Sequence, residues 1–350
     1  MSKLFIDEIA IGVNHPPFII AEMSGNHNQS LDRALEIVDA AYKTGVQMLK
    51  LQTYTADTMT LNLKEGEFFI SDEKSLWKGS SLYDLYKIAY TPWEWHEPVI
   101  QRAKELGMLC CSTPFDESSV DFLESLNVPA YKIASFENTD LPLIKKVAST
   151  GKPIIVSTGM ATLSELGELV EVIRESGCEH FVLLKCTSTY PASPDNSNIV
   201  TIRHMREMFD CEVGLSDHTM GIGTSVAAVA HGATVIEKHF TLSRADGGVD
   251  SAFSLEPEEM TQLVVEAERA WSSLGSVYYG PTDAEKKSLN YRRSLYISED
   301  VKAGEQLTAE NMRIIRPGLG LPPKYYDIFL GRTVKSDMKK GTPIRWESIS

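Results

Sequence analysis

From residue 18 to residue 239 the chain alternates short apolar runs with amphipathic stretches. The runs cover 18–22, 48–53, 108–113, 131–135, 153–158, 181–187, 212–217 and 234–239. They are short runs built around apolar, often β-branched or aromatic residues, as buried parallel strands are expected to be. Between them, stretches such as 31–44, 93–106 and 163–176 place apolar residues at helical spacing. Eight strand–helix units in about 280 residues predict an α/β fold of the (β/α)8 TIM-barrel type. An open doubly wound sheet is the alternative, but no G-x-G-x-x-G follows the first strand. The segment 53–86 is too long for a simple strand-to-helix connection, and its Phe68, Phe69 and Trp77 predict an ordered loop over the barrel mouth.

Beyond the barrel pattern the punctuation changes. Residues 279–290 read as a linker between a barrel domain, 1–278, and a small β-rich domain, 291–350. The small domain carries a weak internal repeat. The pattern D-x-K-x-G-x-x-apolar starts at Asp300 and again at Asp337. Two copies do not make a solenoid.

Charge divides the same way. The 350 residues carry 34 basic and 48 acidic side chains, a formal net charge of −14. Residues 284–350 hold 13 basic and 8 acidic side chains, and the preceding part holds 21 and 40. An acidic body of this kind argues against a general nucleic-acid surface, which needs a basic face. No apolar run reaches the length of a membrane span, and the N-terminal stretch has early acids and no long apolar core, so neither a membrane protein nor a secretory signal is expected. Cys110, Cys111, Cys178, Cys186 and Cys211 form no C-x-x-C and several sit in apolar runs, which predicts reduced thiols in a cytoplasmic protein.

The candidate chemistry collects at the C-terminal ends of the predicted strands, the face on which barrel enzymes build their sites. In chain order these ends carry Glu22; Lys50 and Gln52; Thr113 and Asp116; Lys132, Ser135 and Glu137; Ser157 and Thr158; Lys185, Ser188 and Tyr190; Ser216, Asp217 and His218; and Glu237, Lys238 and His239. Polar residues often mark strand ends, but eight coincidences are hard to dismiss. Lys50, Lys132 and Lys185 fall within apolar runs, where an ammonium needs carboxylates or an anionic ligand beside it. His218 and His239 follow neighbouring strands and suit a metal with open positions, although taken singly each is as well read as structural. Ser157-Thr158-Gly159 suits either a phosphate at a helix start or an ordinary helix cap. His27 lies in a polar loop near the mouth. In the tail, Arg316 precedes Pro317-Gly318, a fixed loop able to present one guanidinium.

These residues fall in stretches that resemble the sialic acid (N-acetylneuraminate) synthase family along almost the whole chain. The matching stretches are 18–27 (FIIAEMSGNH), 50–53 (KLQT), 112–116 (STPFD), 131–135 (YKIAS), 157–160 (STGM), 214–218 (GLSDH), 237–240 (EKHF) and 316–318 (RPG). The resemblance implies a TIM barrel followed by a small antifreeze-like (SAF) domain. It implies an enzyme that condenses phosphoenolpyruvate with an amino sugar. It further implies a homodimer in which the small domain swaps across, so that Arg316 reaches the partner's sugar. His218 and His239 match metal-binding positions for Mn²⁺ or Mg²⁺. Lys50, Lys132, Ser135, Ser157 and Ser216 match positions that hold phosphoenolpyruvate, and Gln52, Tyr190 and Asp250 match positions that face the sugar. Glu22 and Glu137 are the candidates for moving protons, with the choice between them open, and Lys50 and Lys132 offset substrate charge. Thr113 is a further candidate contact. Several stretches, among them 76–79 (LWKG), 82–86 (LYDLY), 91–96 (TPWEWH) and 185–191 (KCTSTYP), single out one branch of the family. Where N-acetylneuraminate formers typically carry Asn, this chain has Ser188, which implies a sugar other than N-acetylmannosamine. The expected sugar is 2,4-diacetamido-2,4,6-trideoxy-L-altrose, with the N-acetylneuraminate and legionaminate reactions as alternatives. A synthase acting on a sugar phosphate and an ice- or polysaccharide-binding protein are remoter readings.

Overall fold

The structure is a computed structural model and describes residues 4–73, 75 and 77–350. Met1–Lys3 of the N-terminal stretch, together with Lys74 and Leu76 of the 53–86 segment, lie outside them. The chain forms two compact units that meet in sequence between Gly275 and Ser276.

The first unit opens with a small antiparallel hairpin, β1 (Leu4–Ile6) and β2 (Ile9–Ile11). Eight parallel strands then close into a barrel: β3 (Phe18–Glu22), β4 (Met48–Thr53), β5 (Leu109–Pro114), β6 (Tyr131–Ile133), β7 (Ile154–Ser157), β8 (Phe181–Cys186), β9 (Glu212–Asp217) and β10 (Val235–His239). Pairing of β10 with β3 completes the ring. All eight predicted runs contain a barrel strand, and the differences lie at the ends. The fourth is the largest: β6 stops at Ile133, and Ser135–Glu137 turn into a 3-10 helix instead of extending the strand.

Helices cover the outside of the barrel. The predicted helix over 31–44 is found as Leu31–Thr44, with the Ser30 side chain accepting from Arg33 N–H at its start. Gly45 follows at φ 87°, the left-handed conformation that ends helices and that glycine enters without a Cβ penalty. The stretch 93–106 divides into a 3-10 turn, Trp93–Trp95, and a helix, His96–Leu106.

Strand alternation sorts the side chains. Ile19, Leu49, Leu51, Val156 and Ile236 point outward into one apolar cluster with the helices. Their neighbours point inward. In the lower barrel these are apolar, and Phe18, Ile20, Met48, Ile155 and Leu184 cluster with Leu4, Ile6 and Ile11 of the hairpin. The hairpin therefore plugs the N-terminal end. Three-residue strands are too short to show a period, so sequence pattern gave no sign of it. Gly214 marks how tightly the inner layer packs: a Cβ there would lie 2.1 Å from the Val235 carbonyl oxygen.

The second unit pairs β11 (Ser294–Ile297) with β12 (Met312–Ile315) antiparallel. A 3-10 helix, Asp283–Tyr291, occupies most of the stretch read as a linker and ends one residue beyond it. The internal repeat has a geometric meaning. Lys302 Nζ pairs with Asp337 at 2.7 Å, and Lys339 Nζ pairs with Asp300 at 2.7 Å, so the two copies clasp each other reciprocally. Val301, Leu307, Met338 and Ile344, at equivalent places in the two copies, share one core. All five cysteines are free and buried, and no helix among the described residues is long and apolar enough to cross a membrane.

Candidate active site

The same alternation that makes the lower barrel apolar turns polar at the C-terminal ends of the strands. Glu22, Lys50, Gln52, Thr113, Lys132, Ser157, Ser216, Glu237 and His239 sit on the inward set of positions and are buried, apart from the half-buried Gln52. Glu237 lies at the centre. Its Oε1 is 3.2 Å from Lys50 Nζ and 4.0 Å from Lys132 Nζ, and Ser216 Oγ donates to it at 3.5 Å. Lys50 also meets Glu22 Oε2 at 2.6 Å and Thr113 Oγ1 at 3.4 Å. Carboxylates thus account for Lys50, whereas Lys132 is held mainly by neutral acceptors, Ser157 Oγ at 2.6 Å and the Ile133 carbonyl at 2.8 Å. Lys185 is only half-buried and donates to the Cys186 carbonyl at 2.8 Å.

Burial and neighbouring charge set the protonation of this layer. Burial pushes the Glu22 carboxyl up to about 7 despite the opposing pull of Lys50. Burial likewise pushes Glu137 up to about 7, with Lys132 pulling against it. Burial would raise Glu237 too, but Lys132 and Lys50 outweigh it and hold that carboxyl below its ordinary range. Burial lowers Lys132, partly offset by Glu237. Glu22 and Glu137 differ in freedom. Glu22 Oε1 accepts from Ser24 N–H and Gln52 Nε2, both at 3.0 Å, while Oε2 meets Lys50. Glu137 Oε2 is buried with no hydrogen-bond partner.

Beside Lys132 lies a cradle of small groups. Gly159 N–H donates to Ser135 Oγ at 3.1 Å, and Asn138 Nδ2 ties the loop by donating to the Gly159 carbonyl at 3.0 Å. A Cβ on Gly159 would lie 2.1 Å from Ser188 Oγ and 2.7 Å from Ser135 Oγ. The Ser135 and Ser188 hydroxyls, the former oriented by Gly159 N–H, together with the Lys132 ammonium suit an oxyanion such as phosphate.

At the rim the two imidazoles are neighbours, with ring centroids 5.4 Å apart. His218 Nδ1 faces the Thr187 carbonyl at 3.0 Å, an arrangement that fixes the tautomer and leaves Nε2 free. His239 Nδ1 is buried without a hydrogen-bond partner, 3.6 Å from Asp250 Oδ2. Burial, followed by the nearby His218, keeps His239 well below its ordinary pKa and therefore neutral, as a ligand must be. Two imidazoles with available nitrogens fit a divalent ion with open positions, although no group of three or more His, Cys, Asp or Glu ligands is found among the described residues. On the outer face, Asp217 and Lys238 immediately precede these histidines, pair at 2.9 Å and tie the two strand ends together. Tyr190 packs on His218 at 4.5 Å, with Phe253 5.3 Å and Trp77 6.1 Å away. Trp77 Nε1 donates to the Val249 carbonyl at 3.2 Å, which anchors the long 53–86 segment at the mouth.

The structure brings Glu22, Lys50, Gln52, Thr113, Lys132, Ser157, Ser216, Glu237 and His239 onto the inward face, whereas Asp116 caps a helix by accepting from Ser119 N–H and Lys185, Asp217 and Lys238 lie off that face. Arg316 lies in the second unit, exposed beside Pro317. His27 is a packing residue. It contacts Thr91 Oγ1 at 3.3 Å and the Trp95 ring at 5.5 Å, and burial lowers its pKa to about 4. Glu237, expected among the strand-end residues, shares the face of His239 two positions on and pairs with Lys50. Sequence reasoning passed over two contributors, Phe253 and Ser24, which carry no local signal.

A profile of the NeuB family matches residues 37–279. The chain belongs to the NeuB family. A SAF-domain profile matches residues 292–350. Among characterised relatives, a pseudaminic acid synthase of Campylobacter jejuni is 44% identical over 331 residues, covering 94% of this chain and 95% of that protein. An N,N'-diacetyllegionaminic acid synthase of Legionella pneumophila is 37% identical, covering 95% of this chain and 94% of that protein. In three dimensions the chain resembles an N-acetylneuraminic acid synthetase from Leptospira borgpetersenii, with a TM-score of 0.74, 31% identity, and coverage of 83% of this chain and 96% of that one. As a NeuB-family barrel, its polar upper layers form the candidate catalytic centre.

Proposed function

We propose that this protein is a pseudaminic acid synthase, which condenses phosphoenolpyruvate with 2,4-diacetamido-2,4,6-trideoxy-L-altrose to give pseudaminic acid and phosphate. The observation that carries the reaction type is the buried layer of Lys50, Lys132 and Glu237 beside the Ser135–Gly159–Ser188 cradle, a cationic and hydroxyl-lined seat for a compact anion. The choice of sugar rests on the higher identity to a pseudaminic acid synthase, 44%, than to a legionaminate synthase, 37%.

In this reading Lys132, Ser135 and Ser157 hold the phosphate, with Gly159 N–H orienting the Ser135 hydroxyl, while Lys50, Thr113 and Ser216 face the carboxylate end. The enol π pair of phosphoenolpyruvate C3 forms a bond to the sugar aldehyde carbon, and the carbonyl π pair moves onto the aldehyde oxygen. C2 becomes an oxocarbenium, water adds there, and Glu137 takes one of the water's protons and passes it to that oxygen, which ends as a hydroxyl. Collapse of the tetrahedral carbon turns the remaining C2 hydroxyl into the ketone as the bond from C2 to the phosphate oxygen breaks, and the electron pair and the hydroxyl's proton leave with phosphate. Lys132 stabilises the charge on the departing group without rearranging. Gln52, Ser188, Tyr190 and Asp250 orient the sugar, and apolar surface from Tyr190, Phe253 and Trp77 suits its deoxy carbon. A divalent ion, Mn²⁺ or Mg²⁺, held by His218 and His239 supplies Lewis acidity toward the aldehyde oxygen. Arg316 is assigned a sugar contact across a domain-swapped homodimer, and the setting is cytoplasmic.

Phosphate release is the direct test. With phosphoenolpyruvate present, the 2,4-diacetamido-L-altrose sugar is expected to outperform N-acetylmannosamine and the legionaminate precursor in kcat/KM. A preference for either of the others rejects the sugar assignment. No phosphate release with any of them rejects the synthase reading. His218→Ala and His239→Ala are each expected to lose the turnover that added Mn²⁺ restores to chelator-treated wild type, and to bind Mn²⁺ at least tenfold more weakly in a titration, on the order of one lost ligand interaction. Unchanged activity of either variant in chelator rejects the metal role.

A further inference from the structure

Ser24 follows β3 by two residues and is buried, yet its backbone sits at φ 48°. That left-handed region suits glycine and strains an L side chain. The backbone there needs no side chain, so what serine adds over glycine is the hydroxyl. That hydroxyl donates to Asp250 Oδ2 and accepts from Gln52 Nε2 at 3.4 Å. Ser24 N–H also donates to Glu22 Oε1 at 3.0 Å. One residue therefore links the end of β3, the end of β4 and the loop after β10.

The chemistry of these links is directional. Gln52 Nε2 is directed at two oxygens, Glu22 Oε1 at 3.0 Å and Ser24 Oγ at 3.4 Å. With both amide hydrogens spent, Gln52 offers the mouth an acceptor, its Oε1. Asp250 has Oδ2 turned toward Ser24 and His239 and offers its other oxygen. We propose that Ser24 is a positioning residue for the amino-sugar half of the reaction, whose hydroxyl fixes Gln52 and Asp250 as paired acceptors for amide N–H and hydroxyl donors of the sugar. This rests on the synthase reading above and adds the residue that sets its donor-specific side.

The test uses Ser24→Gly and Ser24→Ala in the full-length, metal-loaded protein. Glycine accepts the backbone conformation, so Ser24→Gly folds, and alanine keeps the strain while losing only the hydroxyl. Steady-state phosphate release is measured with each substrate varied in turn. Both variants are expected to raise the sugar KM about tenfold, the scale of a lost hydrogen bond to a charged group, with phosphoenolpyruvate KM within about twofold of wild type. A merely structural serine predicts that Ser24→Gly leaves both constants alone. An unchanged sugar KM in Ser24→Gly, or an equal rise in both constants, overturns the proposal. Wild-type turnover of the sugar panel is the separate control on the reaction itself. If that control fails, hydrogen exchange of residues 247–253 in the free protein decides the matter for Ser24. Exchange about tenfold faster in Ser24→Gly supports the tie to Asp250, and unchanged exchange overturns it.

Discussion

Glu237→Ala is expected to destabilise the metal-free, substrate-free protein by about 3–5 kcal/mol, the usual scale for removing one partner of a buried ion pair. Lys50 keeps Glu22 at 2.6 Å, but Lys132 loses the carboxylate that stands 4.0 Å from it and is left with a hydroxyl and a carbonyl. The pH dependence carries a sign. Glu237 is held below its ordinary value of 4.5, so its contribution is present above that value and is lost as pH falls through the depressed one. Wild-type and variant melting temperatures should therefore differ near neutrality and converge in strong acid. Added inorganic phosphate should close part of the neutral gap, because an anion then sits beside Lys132 and no longer meets a competing carboxylate. A variant as stable as wild type at neutral pH, with no response to phosphate, would show that Glu237 does not neutralise this layer.

The second large effect is kinetic. Glu137→Gln is expected to lower kcat by about 10²–10⁴, the range for losing a general base, with both KM values little changed. Glu22 is tied by Lys50, Gln52 and the Ser24 N–H, whereas Glu137 Oε2 is unpartnered, so Glu137 is the carboxylate free to take a proton. Burial brings it to about 7, so the ionised, active form grows as pH rises through that value. Wild-type kcat/KM should climb along a limb near 7, and Glu137→Gln should lack that limb. If the limb persists in Glu137→Gln and disappears in Glu22→Gln, the base is Glu22.

How far the fold was readable follows from periodicity. Phe18–Glu22, Met48–Thr53 and Glu212–Asp217 match their predicted runs to the residue, although only the first is nearly continuous in apolar character and the other two mix apolar residues with Lys50, Gln52, Glu212, Ser216 and Asp217. Tyr131–Ile133 was read too long because Ala134 and Ser135 extend the run in sequence while the backbone turns into a 3-10 helix. The plugging hairpin, with two three-residue strands, lies below the length at which alternation is informative. The site was legible as a set of strand-end residues, but its internal logic was not. Only the closed ring shows that Lys50 and Lys132, from strands two apart, share Glu237 from β10. Ser24 was hidden for another reason: its part depends on a backbone angle, and the sequence around it reads as an ordinary polar loop.

The hairpin plug has a consequence for traffic. With the lower barrel packed by Phe18, Ile20, Met48, Ile155 and Leu184 against Leu4 and Ile6, that end is closed by apolar side chains, and approach to the polar layer is left to the strand C-termini. Lys132 and Glu237 lie at the floor of that layer, and His218, Tyr190 and Asp250 stand at its lip. On the proposed assignment, a sugar at the lip stands over the phosphoenolpyruvate seat, so phosphoenolpyruvate is expected to bind first; a sugar that binds the free protein as tightly as its phosphoenolpyruvate complex would contradict that order. The geometry of a plug at one end thereby becomes a rule of queueing at the other.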